Sequence, residues 1–486
     1  MKIVVKLFHE IAIKSRPVRK LLTKQLHYNL ESLLKRIRSD TKVYRHWDRF
    51  EIKVPEDICD DTRRNIIEQL SNTPGIEFFL VVEPVHFSSL SELTQIALEY
   101  FAQSVNQKTF AVRVKRKGKH SFSSIEAERE IGSVLMLNAH PTGVDLKQPE
   151  VEISIEIDNE TAYLVKEKVP GLGGYPLGKQ EQALSLISGG YDSSVSSFLT
   201  MRRGVKTHFC FFNLGGSAHE IGVKQVAYYI WNKYASTHKV KFITFDFEPV
   251  VAEILKSIDP SFMGVVLKRM MFRAAEYAAK DLAIETVVTG EAIGQVSSQT
   301  LTNLNAIQQV TDRLVLRPLV AMDKQDIIKL AKEIGTDEFA ANMPEYCGVI
   351  SSKPSTKVKL EKVVAAENDF DFDVLEKSLN TFRLVSIEKV LDGVDTDTEV
   401  DSITTPNFSD VVIDIRHPEE QEKNPLQLLN NEIIKIPFYS ISKRFEDLDS
   451  EKNYLLYCDK GVMSKVQAHH LKIQGFTNVK VLKLAV

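Results

Sequence analysis

The stretch Leu184-Ser185-Leu186-Ile187-Ser188-Gly189-Gly190-Tyr191-Asp192-Ser193 constrains the fold more than any other part of the chain. An apolar run of strand character enters a turn carrying two glycines, and the residues from Ser194 to Arg203, with Gly204 beyond them, have helical spacing. Strand, glycine turn and helix in that order put free backbone amides and the positive end of a helix dipole at the mouth of the turn, where glycine lets the backbone approach a ligand closely. Such a turn is suited to cradling pyrophosphate. It lacks the lysine of a Walker A loop, so the pattern is not that of a P-loop nucleotide hydrolase. In isolation, Gly189-Gly190 would also suit a tight turn and Asp192-Ser193 a helix cap; the strand-turn-helix setting favours phosphate.

Strand-like runs at 183–187, 208–213, 241–247 and 286–289 alternate with helical patterns, the signature of a parallel α/β sheet. The length of 486 residues exceeds what one core supports, and 43% hydrophobic residues suffice for several. Upstream, residues 2–7 read as a strand, and Leu21, Leu22, Leu26, Leu30, Leu33 and Leu34 mark a helix over 18–37. A helix at 62–70, a strand at 78–83 and further alternation to 165 make a second α+β unit. Pro170-Gly171-Leu172-Gly173-Gly174-Tyr175-Pro176-Leu177-Gly178 is so dense in turn formers that it predicts a connector and a domain boundary. Five acidic residues and no base from Asp392 to Asp401 predict a solvated linker before one more small α/β domain. Lys2, Lys6, His9 and Glu10 interrupt the first apolar stretch and no later run approaches a membrane span, so a soluble cytoplasmic protein is expected.

Four cysteines, Cys59, Cys210, Cys347 and Cys458, none in a CxxC pair, argue against a secreted disulfide framework and against a zinc or iron–sulfur site. Cys458 follows the strand-like Tyr454-Leu455-Leu456-Tyr457 and precedes a helical pattern over 465–474. Loop amides and a helix start would there stabilise a thiolate or persulfide, the alternative being a buried inert cysteine. The strand at 411–416 ends on the charged pair Asp414 and Arg416. Cys347, in Met343-Pro344-Glu345-Tyr346-Cys347-Gly348-Val349-Ile350, taken alone is more often a small core residue than a catalyst.

The net charge of −3 conceals an asymmetry. Residues 1–50 carry thirteen Lys or Arg against four Asp or Glu, a net +9, and residues 361–486 fifteen against twenty-three, a net −8. Arg113, Lys115, Arg116, Lys117 and Lys119 place five cations within seven residues, and Lys14, Arg16, Arg19 and Lys20 form a second cluster. Such runs are as often solvated faces as binding surfaces; beside a nucleotide-using domain they point to a nucleic-acid backbone. With no stacked aromatics beside these cations, folded RNA read by shape is expected rather than single strands.

In its setting, Ser188-Gly189-Gly190-Tyr191-Asp192-Ser193 resembles the loop of the PP-loop (N-type ATP pyrophosphatase) superfamily, whose members cleave ATP between the α and β phosphates and adenylate a carbonyl oxygen. Adenylation turns a uracil oxygen into a leaving group that sulfur can displace. The Cys458 loop with the strand at 411–416 resembles a rhodanese domain, and Met463, where many thiosulfate-using rhodaneses carry a cation, favours a protein persulfide as donor. With Cys210-Phe211-Phe212-Asn213-Leu214-Gly215-Gly216, Leu267-Lys268-Arg269-Met270-Met271, the segment 289–299 and both cysteine loops, the chain resembles the ThiI-type tRNA 4-thiouridine synthetases with a rhodanese extension nearly end to end.

That resemblance implies a multidomain α/β and α+β fold: a ferredoxin-like N-terminal unit (1–60), a THUMP domain (61–168), a PP-loop parallel-sheet α/β domain (176–390) and a rhodanese-like α/β domain (404–486). It implies ATP, with Mg2+, on Leu186, Ile187, Ser188, Gly189, Gly190, Asp192, Ser193, Lys268, Gly290 and Gln299. Asp192 would support activation, Lys324 would act near the phosphates, Cys458 would carry the persulfide, and Cys347 would form a disulfide with it on sulfur release. The basic tract from Arg113 to Lys119 would hold RNA. Implied partners are tRNA, a cysteine desulfurase and the sulfur-carrier protein of thiamine thiazole synthesis, with no membrane; a homodimer is left open. A PP-loop amidotransferase or ligase would carry a glutaminase or substrate domain in place of the basic half, and a non-catalytic RNA-binding module would not need the loop and both cysteines.

Overall fold

The computed structural model describes residues 1–55, 57–214, 216–342, 354–391, 401–416, 418–428, 430–438 and 441–458, and beyond these 464, 467, 468, 471, 472 and 474–484. Contacts divide the chain into two units, Met1–Pro176 and Leu177–Val486.

In the first unit, β1 (Lys2–Leu7), β2 (Lys42–Arg45), β3 (Arg49–Lys53), β4 (Ile76–His86), β5 (Thr109–Lys117), β6 (Gly143–Val144), β7 (Val151–Asp158) and β8 (Thr161–Gly173) form one sheet ordered β2-β3-β1-β4-β8-β7-β5-β6. Alternation puts Ile3, Val5 and Leu7 of β1 on the core face, where Leu26, Leu30 and Leu34 of the helix Arg16–Ile37 cover them. Leu21, off that four-residue series, is 48% exposed. The helices Leu90–Val105 and Ser124–Asn138 cover the other half through Leu93, Ala97, Ile131 and Leu135. Ser123 and Glu126 start the second of these with a capping box.

One sheet spans the unit, and one segment differs from the sequence expectation. The sheet runs unbroken past residue 60, because β4 pairs with β1 and, along its whole length, with the thirteen-residue β8. The connector expected from 170 onward is strand as far as Gly173, Pro170 pairing with Phe78 and Gly173 with Ile76. The register shifts between Ile76 and Phe78, and such an irregularity accommodates a proline that has no N–H to give a ladder.

Among the described residues, the second unit contains two sheets. β9 (Gln182–Leu186), β10 (Lys206–Asn213), β11 (Lys241–Asp246), β12 (Thr286–Val288), β13 (Leu314–Leu316) and β14 (Arg383–Ser386) are ordered β13-β12-β9-β10-β11-β14, parallel except for β14. The succession runs from β9 through β10 to β11 on one side and resumes with β12 and β13 on the other, so the switch point lies between β9 and β12, where ligands of open α/β sheets bind. The second sheet, β15 (Ser402–Ile403), β16 (Val411–Asp414), β17 (Ile433–Lys435), β18 (Tyr454–Tyr457) and β19 (Val479–Leu482), is wholly parallel in the order β15-β19-β18-β16-β17. The acidic stretch 392–400 and the Cys347 segment, 343–353, lie outside the described residues. No helix among the described residues is long and apolar enough to cross a membrane.

Candidate active site

The glycine turn leaves the carboxyl end of β9. Ile187 is buried and donates its N–H to Cys210 O at 2.9 Å, which extends the sheet contact one residue past Leu186. Gly189 has φ +82°, a conformation costly to a residue with a Cβ, and it turns the chain back across the strand end. Gly190 is the N-cap of the helix Tyr191–Arg202, and no side chain caps that helix. Its first amides therefore remain available to an anion. Ser193 closes the loop from within: its Oγ accepts from Ser188 N at 3.1 Å and meets Ser188 Oγ at 3.2 Å. Asp192 and Ser193, assigned to the turn by sequence, occupy the first helical turn.

Asp192 is the hub of the surrounding contacts. Its Oδ1 lies 2.7 Å from Lys324 Nζ and its Oδ2 accepts from Gln295 Nε2 at 2.7 Å. Lys324 opens the helix Lys324–Ile334, and its ammonium also lies 5.6 Å from the Tyr191 ring centre. Gly290, just beyond β12, packs directly on this turn; a Cβ there would stand 2.6 Å from Asp192 C and 2.8 Å from Ser193 N, so any side chain would push the two loops apart. Gln299, in the turn Ser297–Gln299, accepts from Ala292 N at 3.3 Å and holds the same loop. Lys268, on the helix Met263–Asp281, is paired with Glu291 Oε1 at 2.8 Å. Asp192, Ser193, Gly290, Gln295 and Lys324 thus meet at the ends of β9 and β12, Lys268 and Gln299 contact Glu291 and Ala292 directly after Gly290, and Ser188 joins through Ser193, whereas Leu186, Ile187, Gly189 and Gly190 are placed beside them by the strand end and the turn.

Cys458 follows the last residue of β18, beside β16. It is buried; its Sγ accepts from Ser464 N at 3.3 Å and lies 3.3 Å from Ser464 Oγ. The neighbouring charges satisfy each other: Arg416 bonds Asp414 through Nε at 2.9 Å and Nη2 at 2.7 Å, both side chains being almost fully buried. Cys347 and Met463 lie outside the described residues.

The basic tract is the end of β5 and the turn after it. Arg113 is half-buried and donates to Leu146 O at 2.6 Å, whereas Lys115, Arg116, Lys117 and Lys119 are exposed. The expectation that these cations have no aromatic neighbours is corrected. Arg116 lies 5.9 Å from the Phe122 ring centre, and in the other cluster Arg19 and Arg16 lie 4.4 and 5.9 Å from that of Trp47. These rings reach the cations through space, Trp47 coming from a hairpin 28 positions after Arg19.

The family model "Thiamine biosynthesis protein (ThiI)" matches residues 178–372 and the model "THUMP domain" residues 87–166. The tRNA sulfurtransferase of Shewanella halifaxensis (strain HAW-EB4) is 50% identical over 484 residues, covering 99% of this chain and all of that one. That of Haemophilus influenzae (strain PittGG) is 50% identical over 482 residues, 99% of both chains. The chain belongs to the tRNA sulfurtransferase family. Among solved structures, a 4-thiouridine synthetase–RNA complex with bound ATP superposes with a TM-score of 0.68 at 26% identity, over 79% of this chain and 99% of that one.

In this tRNA sulfurtransferase several further groups, to which local sequence assigns no role, contact the site residues. Glu291 binds Lys268 on one oxygen and, on the other, Arg317 Nε at 2.8 Å and Thr289 Oγ1 at 3.1 Å. Burial pushes its carboxyl up, but Lys268 and Arg317 more than offset this and hold it below the usual carboxylate range. Gln295 anchors Asp192, and the His219 ring, its pKa lowered by burial, meets the backbone of Ser188. Glu291 and Gln295 stood inside a recognised segment, yet only the contacts assign them work. Arg317 carried no local signal.

Proposed function

We propose that this tRNA sulfurtransferase converts uridine at position 8 of tRNA to 4-thiouridine through an adenylated uridine, with sulfur supplied by a persulfide on Cys458. The observation that carries the reading is the convergence of the uncapped helix start, Asp192, Lys324 and the Gly290 loop at the switch point between β9 and β12. ATP would lie there, its phosphates on the amides from Ser188 to Ser193 and its adenine against the strand ends at Leu186, Ile187 and Gly290, with Gln299 and the Lys268–Glu291 pair holding the loop. Asp192, the carboxylate at this turn, is suited to contribute to Mg2+ held mainly by phosphates. Lys324 would meet charge developing on the departing pyrophosphate. The solved 4-thiouridine synthetase with RNA and bound ATP supports both ligands.

The division of labour proposed is a ferredoxin-like unit over 1–60 and a THUMP domain over 61–168 for tRNA, a PP-loop domain over 176–390 for activation and a rhodanese-like domain over 404–486 for sulfur. A cysteine desulfurase would load Cys458. The terminal persulfide sulfur attacks C4 and AMP leaves; a Cys347 thiolate then attacks the Cys458 sulfur, releasing 4-thiouridine and forming a Cys347–Cys458 disulfide that an external thiol reduces. Release of hydrosulfide before attack yields the same disulfide. The same persulfide would serve the sulfur-carrier protein of thiamine thiazole synthesis, a role in keeping with the family model.

Incubation with unmodified tRNA, ATP, cysteine and a desulfurase should produce 4-thiouridine absorbance and pyrophosphate; absorbance without pyrophosphate would exclude adenylation. Charge reversal at Arg116 and Lys117 should raise the dissociation constant for tRNA and flatten its salt dependence by about one unit of slope per lost phosphate contact. An unchanged slope would remove the tract from the interface.

A further inference from the structure

Trp47 sits at the tip of the hairpin between β2 and β3, closed by His46 N donating to Arg49 O at 2.9 Å. The residue is 58% exposed, which forfeits much of what burying so large a side chain would contribute. It is nevertheless held in place. Arg19, on the helix Arg16–Ile37, donates from Nη1 to Ala12 O at 3.2 Å and from Nη2 to Trp47 O at 2.8 Å, with its guanidinium 4.4 Å from the ring centre. Arg16 lies at 5.9 Å. The next residue, Asp48, is 3.8 Å from Lys117, so the hairpin tip joins the basic tract on β5. An aromatic ring backed by a fixed guanidinium, open to solvent and set among cations makes a platform for a planar base whose phosphates the cations would hold.

We infer that Trp47 stacks against an unpaired base of the bound tRNA, so that the first unit reads a single-stranded nucleotide in addition to duplex shape. This rests on the tRNA reading above. A protein partner is disfavoured, because the ring stands in a segment of net charge +9 over residues 1–50 rather than in an apolar patch. A base in a duplex is already stacked on both faces and offers none to the indole, which makes the platform selective for unpaired nucleotides.

The chain has two tryptophans, and the other is a suitable silent reference: Trp231 is 5% exposed, lies in the second unit and donates Nε1–H to His238 O at 2.8 Å. Fluorescence of the full-length protein should therefore be titrated with unmodified tRNA, with a single-stranded oligoribonucleotide and with a blunt duplex of equal length, using Trp47→Phe to isolate the Trp231 signal. The expected result is quenching of the Trp47 emission by tRNA and by the single strand, and little by the duplex at equal occupancy. Trp47→Ala should weaken tRNA binding about tenfold, as loss of one base–aromatic stack does, with Trp47→Phe recovering most of it and the salt slope unchanged because no charge is removed. Saturating tRNA binding in a filter assay with unquenched Trp47 emission, or equal quenching by the duplex, overturns the stacking proposal and leaves the tRNA reading standing. Failure of the wild-type chain to bind tRNA overturns both. The wild-type titration does not depend on either variant folding.

Discussion

Asp192→Ala is expected to lower 4-thiouridine formation on the order of a thousandfold while leaving the dissociation constant for tRNA within about twofold, the first figure being what loss of a preorganised charged group at a transition state costs. The substitution removes two contacts at once. Lys324 loses its 2.7 Å partner and Gln295 its acceptor, so the ammonium is no longer aimed across the helix start and the 289–299 loop loses a tether. The amides of the uncapped helix start remain, because Gly189, Gly190 and the Ser188–Ser193 bonds do not depend on the carboxylate. ATP should consequently bind weakly but detectably, and pyrophosphate release should fall in parallel with thiolation. The basic tract and the Trp47 hairpin belong to the other unit and are untouched. Equal loss of tRNA binding and thiolation in the same preparation would refute this separation of activation from RNA binding.

Cys458→Ala should abolish both tRNA thiolation and sulfur transfer toward thiazole, since on the proposed route both depend on its persulfide. Cys458→Ser should be equally inactive, although the hydroxyl can keep the 3.3 Å contact with Ser464 N, because oxygen cannot carry a sulfane sulfur through exchange. Cys347→Ala should lose multiple-turnover tRNA thiolation and spare the proposed thiazole branch, in which the activated carboxylate would belong to another protein. After one turnover without reductant, non-reducing peptide mapping should find Cys347 linked to Cys458 across 111 positions of sequence, and added thiol should restore activity. Normal multiple turnover by Cys347→Ala would remove that residue from the reaction. Persistence of a desulfurase-loaded sulfur adduct on Cys458→Ala would place the carrier elsewhere.

The sequence by itself determined the elements whose signals are local. The glycine turn before the helix that starts at Tyr191, the strands β9 to β12 and the leucine stripe Leu22, Leu26, Leu30 and Leu34 were legible because glycine placement and hydrophobic period act over a few residues. The family was legible for the same reason, each motif being a contiguous run. Tertiary structure decided what depends on pairing across long separations. Residues 170–173 joined a strand despite their turn-forming composition, because β4 supplied hydrogen-bond partners nearly a hundred positions away. Arg317 joined the site through Glu291, and Asp192 found Lys324 across 132 positions. Trp47 came to rest against Arg19 because a hairpin folds beside a helix, so the aromatic neighbours that local sequence denied those cations were supplied through space. Short-range spacing encodes which backbone shapes are affordable, whereas the partner of a charge or a ring is chosen by the packing of elements that the chain brings together only on folding.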